Sequence, residues 1–339
     1  MRRLLTIVNL MMVAGFATSF VVSAKKNVYV DDAQASSEFK REVSKEFSVG
    51  SSPALSISNE FGEIYIVEGK DDKIVFEITI TGKGKDKDAA KKYAESVDID
   101  FKQSGNEISA KTSFGKINCN NNCGRNVEYK VIVPRNTKQK LTNKFGDVKL
   151  NNVQEQLVVN VEFGKLYANN LTDADVKIQH GGTTINKCVN LKLKSSFSKN
   201  KFGEIGKLSG SVSHGGIEVD ELTEGDVKSD FSNLNVGRLK QSFITNSLSH
   251  GSLKIGHVYE GFSNIKVEAS FSKVDVSFSK SNNFKAVLHT SFGNIRTGDL
   301  SFYEKTLEKK DVVVGVVGNI KEPSAVVDIS NEHGNIVLQ

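Results

Sequence analysis

The sequence predicts an all-β fold: a single-chain parallel β-solenoid, read as a right-handed β-helix, with coils of 17–21 residues and an N-terminal capping strand–helix–strand excursion. Three observations carry that reading. The first is a recurring phrase. In residues 161–200, EFGKL, QHGGT and SFSKN place Phe163, His180 and Phe197 in one slot, 17 residues apart each time. The slot recurs at Phe145, Phe163, His180, Phe197, His214, Phe231, His250, Phe271 and Phe292, at intervals of 18, 17, 17, 17, 17, 19, 21 and 21. Phe61 and Phe114 open the same phrase earlier, and His333 closes the series. A fixed period of this kind marks a stacked repeat.

The second observation is a set of apolar columns aligned to the slot. Leu141, Val159, Val176 and Leu193 stand four residues before it, and Leu55, Ile108, Leu157 and Leu191 six before. Val148, Leu166, Ile217 and Leu234 stand three after, and Leu150, Val219 and Val236 five after. A further column eight after contains Val153, Leu171, Cys188 and Leu222. Residues of one parity share a strand face, so the slot is expected to point inward with the preceding columns. The parity then flips by one residue, which requires a bend, and the Gly or Ser after the slot is expected to supply it. Identical columns are buried most simply by coiling the chain, each rung pairing with the next at about 4.8 Å. The third observation is composition: 28 Gly, three Pro and no Trp suit many strands and turns. The connections are too short for crossover helices, and an antiparallel sandwich has no reason to repeat a phrase in register.

The elements follow in order. Arg2 and Arg3, an apolar run and Val22-Ser23-Ala24 read as a signal peptide over 1–24, cleaved after Ala24. An uncleaved anchor is the alternative, disfavoured by Asn9, Thr18 and Ser19 within the run, and no other apolar stretch approaches membrane-spanning length. Residues 25–45 are polar, with a helical stretch at 35–45, and read as a linker or flexible arm. The repeat domain covers 46–339. Within it, 82–112 forms the capping helix and hairpin. Residues 73–84 alternate as a strand, 86–97 form a short helix with Asp86 near its start, and 98–114 return as a hairpin around Ser104-Gly105. Residues 127–146 enter the coil. Phe197 and Phe202 stand so close that a small insertion or bulge is expected between them.

Phe and His share the slot because both are flat rings that stack. The ten positions Phe145, Phe163, His180, Phe197, His214, Phe231, His250, Phe271, Phe292 and His333 are therefore read as a structural ladder, with each His working largely uncharged inside the coil. A line of metal-binding His is disfavoured, because alternate rungs set successive His roughly 9–10 Å apart. No catalytic residue, metal site or cofactor is expected. Cys119 and Cys123 are close enough to bridge, although Cys119 also falls in a buried column, and Cys188 reads as a small buried hydrophobe.

A G-K-G strand end, a helix, V-P-R-N-T, N-K-F-G-D-V and a train of F-G-x-I-x-V phrases over residues 46 to 339 resemble the exported "putative adhesin" domains of Gram-negative bacteria. The ending GVVGNI…AVVDISNEHGNIVL resembles theirs too. The resemblance implies a β-solenoid without catalytic residues and with no defined ligand.

Without Arg2 and Arg3, 43 basic residues face 40 acidic ones, with five Arg, which makes no electrostatic case for nucleic acid. The chain is expected to be a non-enzymatic exported envelope or surface protein, periplasmic, surface-bound or extracellular, without a membrane span after cleavage. It would bind an extended ligand: a glycan, a matrix protein or an envelope component. The alternative is a polysaccharide lyase or hydrolase, for which Asp71-Asp72, Asp98/Asp100 and Asp173/Asp175 are the candidate acids. Each reads more simply as a solvated turn or strand edge.

Overall fold

The computed structural model describes residues 37–70, 72–117 and 123–339. Ala24, Asp71 and Cys119 lie outside the described residues. The described chain is all-β with one helix, and its strands join one open sheet.

The N-terminal part opens with β1 (Ser37–Ser48), β2 (Ala54–Glu60), β3 (Ile64–Gly69) and β4 (Lys73–Gly84). β1 runs antiparallel to β4 over its whole length, so the helix expected at 35–45 is absent. Phe39, Val43 and Phe47, four residues apart, fit either a helix or one face of a strand, and pairing with β4 decides for the strand. Helix α1 (Lys87–Glu95) follows, and the Asp86 side chain caps it by accepting from the Ala89 N–H at 2.8 Å. It buries Ala90 and Ala94 against β4. A Cβ on Gly82 would stand 2.2 Å from the Ala90 carbonyl oxygen, so the glycine there admits the helix. Next come the hairpin β5 (Val97–Ser104) and β6 (Glu107–Phe114), then β7 (Gly124–Pro134).

The central part is parallel. It comprises β8 (Lys138–Lys144), β9 (Val148–Glu162), β10 (Lys165–Gln179), β11 (Gly182–Ser196) and β12 (Lys199–Ser249). β13 (Ser252–Val258), β14 (Asn264–Ser270) and β15 (Lys273–Phe278) continue it. Residues one repeat apart are partners: Leu166 lies beside Thr183, and Val176 beside Leu193. The pairing of β11 with β12 runs without a register shift, so the bulge expected near Phe197 is absent. Phe202 partners Ile185 and is buried in the column five residues after the slot. Shifts occur where the sequence interval lengthens, between Leu171 and Asp173 and between Thr245 and Leu248.

The C-terminal part comprises β16 (Phe284–Thr290), β17 (Ile295–Arg296), β18 (Phe302–Glu308), β19 (Val312–Val317), β20 (Val326–Glu332) and β21 (Ile336–Leu338). Here chain order and spatial order part. β20 inserts between β14 and β16, and β21 between β15 and β17. The other end is built alike: β2 lies between β6 and β8, and β3 between β7 and β9. The pairs β2–β3 and β20–β21 are thus held inside the stack. The outer positions go to antiparallel additions, β5, β4 with β1, and β19 with β18. Such additions cover edges that would otherwise template growth.

Candidate functional site

The repeat phrase forms a turn at the slot residue itself. Phe61, Phe145, Phe163, His180, Phe197, His214, Phe231, His250, Phe271 and His333 all have φ between 46° and 59°, the left-handed region. This corrects two expectations. The positive φ belongs to the ring residue and, except at Gly62 after Phe61, not to the Gly or Ser after it. The ring therefore swings out of the strand parity: Phe145 is 48% exposed and Phe271 54%. The residue two before the slot keeps the inward direction, as Val161, Ile178 and Val212 show by their burial. Holding a non-glycine residue in this region costs roughly 1–2 kcal/mol, and stacked ring pairs return about 0.5–1.5 kcal/mol each.

The rings stack face to face in one row. Centroids from Phe61 through Phe145, Phe163, His180, Phe197, His214, Phe231, His250 and Phe271 to His333 are 4.5–5.1 Å apart, with planes within 18°. Phe292 then stacks on His333 at 4.5 Å. His333, last in the chain, thus lies between Phe271 and Phe292, and Phe and His alternate from Phe163 to the end of the row. At the other end Phe114 meets Phe61 edge-on at 5.6 Å, beneath the Arg125 guanidinium.

The residue after the ring is constrained by its neighbours. A Cβ on Gly181 would stand 1.8 Å from the Gly164 carbonyl oxygen. Ser198, Ser232 and Ser272 occupy the same position and use their hydroxyls. Each donates to the carbonyl two residues earlier and accepts from the N–H of Gly181, Gly215 or Gly251 on the adjacent repeat, at 3.0–3.1 Å. Gly and Ser therefore alternate from Gly181 to Gly334, in phase with His and Phe.

Beneath the row, buried polar side chains bond to one another and to the backbone, at the middle of the stack (Asn200 donates to Ser195 and to the Gly216 carbonyl) and at both ends. Asn143 Nδ2 donates to the Gly62 carbonyl at 2.8 Å, Asn59 Nδ2 donates to Asn143 Oδ1, and Thr112 Oγ1 donates to Asn59 Oδ1. The Thr112 proton being committed, the Tyr129 hydroxyl donates to Thr112 at 2.7 Å. Burial pushes the Tyr129 phenol up to about 12, against the opposing pull of Thr112. Asn331 and Thr290 serve the carbonyls of Ser272 and Gly334 in the same way. Polar residues in the column two before the slot were visible in the sequence, but their partners depend on which repeats adjoin.

A groove of about 750 Å³ runs along another corner, lined by Asn152, Asn170, Lys187, Glu204 and Glu221, each seven residues after its ring. Asn170 donates to Asn152 at 2.7 Å, and Lys187 pairs with Glu204 at 2.9 Å. Glu221 accepts from Lys240 and Arg238, which hold its carboxyl below the usual carboxylate range. Cys188, free and buried at the floor, has its thiol pushed up to about 12 by burial. Cys123 is disulfide-bonded.

Of the candidate acids, Asp173 and Asp175 line one shallow pocket, and each is engaged by a neighbouring side chain. Asp173 accepts from Asn190 at 2.7 Å, Asp175 pairs with Lys192 at 3.5 Å, and Asp100 with Lys102 at 3.1 Å. Asp98 and Asp72 are exposed. Among the described residues, no group of three His, Cys, Asp or Glu is placed to hold a metal ion, and no helix is long and apolar enough to cross a membrane.

No family model and no curated protein matches the chain. Among solved structures, a "putative adhesin" from Parabacteroides distasonis is 14% identical with a TM-score of 0.37, over 88% of this chain and 97% of that one. A "putative adhesin" from Parabacteroides merdae is 12% identical with a TM-score of 0.37, over 88% and 96%. A "putative lipid binding protein" from Parabacteroides distasonis is 11% identical with a TM-score of 0.32, over 88% and 96%. Likeness at this level transfers no function.

Proposed function

We propose that the chain is a non-enzymatic, exported binding scaffold of the cell envelope or surface, coiled as one parallel β-solenoid, with an extended polymer as its ligand. The groove carries this reading: one repeat position, occupied by Asn152, Asn170, Lys187, Glu204 and Glu221, lines it from repeat to repeat. A site periodic along the stack suits a ligand that is itself periodic or extended. Supporting it, Asp173 and Asp175 are each engaged by a residue of the next repeat, which gives them an ordinary structural role. The test is an array of glycans, matrix proteins and envelope polymers. Retention of a polymer is expected, with loss in Thr172→Trp, which fills the groove. Turnover of a polysaccharide that Asp173→Asn or Asp175→Asn abolishes would replace this reading with the lyase or hydrolase one.

A further inference from the structure

The ring row presents a surface that the groove does not use. Its faces are occupied by stacking, so the ring edges stand outward. Eleven rings at 4.5–5.1 Å give a stripe some 50 Å long. The Phe of the row are 39–69% exposed, so at roughly 200 Å² per Phe side chain they alone offer about 700 Å², and the exposed His between them widen the stripe. The largest apolar patch on a typical monomer is about 300–600 Å², and a stable interface uses about 800 Å² per partner.

We infer that this row is a self-association surface whose occupant is a second copy of this chain, laid parallel and in register. Periodicity argues for it: the surface repeats every rung, and a second stack of rungs has the same spacing. The flanks argue for the orientation. A two-fold axis along the row sets the residue before each ring against the residue two after the same ring in the other copy. Lys144 then faces Asp147, and Glu162 faces Lys165, while at the Phe61 end Glu60 faces Glu63, which Lys149 of its own copy already pairs at 2.7 Å. Within one copy, Lys144 already pairs with Glu162 at 3.3 Å, so the first four charges close into a network. Along the middle of the row no pair sets like charges against each other: Gln179 faces Gly182, Ser196 Lys199, Ser213 Gly216, Asp230 Asn233, and Ser249 Ser252. They let the rings of two copies meet without like-charge repulsion, as in in-register side-chain zippers.

The inference does not depend on the ligand reading, because the groove and the row involve different residues. Sedimentation equilibrium of the purified chain is expected to give twice the monomer mass. Phe197→Asn with Phe231→Asn keeps a residue that tolerates the left-handed region and removes two rings. It is expected to weaken association at least ~30-fold with the circular dichroism unchanged. Carbodiimide coupling of mixed light and heavy-isotope protein is expected to join Glu162 of one copy to Lys165 of the other. Three results would each overturn the inference: a monomer at high micromolar concentration, a dimer that the double variant leaves intact while folded, or a monomer that floats with phosphatidylcholine–phosphatidylglycerol vesicles through this row.

Discussion

At the slot, two forces oppose each other in one residue. The left-handed backbone disfavours any side chain, and the stacked ring offsets that cost on both faces. A consequence separates this arrangement from an inward-facing ring. Phe231→Ala keeps the strain and loses the contacts with His214 and His250, so a loss of about 1–3 kcal/mol is expected. Phe231→Gly loses the same contacts but relieves about 1 kcal/mol of strain, so it should be the milder variant in denaturant melts. In a buried column the glycine would be the worse one. His214→Phe should be tolerated, because neighbouring repeats already carry Phe there. His214→Asp leaves its carboxylate in solvent and should cost far less than a buried charge would. Tyr129 gives a pH signature. Its folded value is raised above the ordinary phenol value of about 10, so stability is complete below that value. It falls as pH rises from 10 toward 12, by about 1.4 kcal/mol per unit, because only the unfolded chain releases the proton in that window. Tyr129→Phe should remove this part of the alkaline slope, and an unchanged slope would contradict the buried network.

Among the elements, the central strands were legible in the sequence because each column repeats in neighbours one period away. The hairpin at Ser104-Gly105 and the helix after Asp86 were legible from local turn and cap chemistry. Three things were not. The direction of the ring depends on a backbone dihedral that parity does not encode. The strand at Ser37–Ser48 shares its apolar spacing with a helix and is decided by pairing with Lys73–Gly84, beyond the reach of local pattern. The placement of His333 between Phe271 and Phe292 depends on insertion of β20, which chain order hides. That insertion makes the C-terminus structurally central. Ending the chain at Glu322 removes both β20 and β21 and leaves β14 and β16 without their shared neighbour. Proteolysis of that truncation is expected to release the segment from β16 to β19 as a separate, unstable piece. A truncated chain that melts like the parent would contradict the insertion.

In the whole molecule, neighbouring repeats pair in parallel, one repeat to a rung. Lys165, Gly182, Lys199, Gly216, Asn233, Ser252 and Lys273 occupy the same place in successive repeats, two residues after the ring, and the register pairs Lys165 with Gly182, Asn233 with Ser252, and Ser252 with Lys273. Spin labels at Lys165 paired with Asn233, Ser252 or Lys273 measure this directly by pulsed dipolar spectroscopy, in diluted mixtures with unlabelled protein. At about 4.8 Å per rung, four, five and six rungs give expected backbone separations of about 19, 24 and 29 Å, rising by one rung per repeat. Separations that fail to rise in equal steps would contradict the stack.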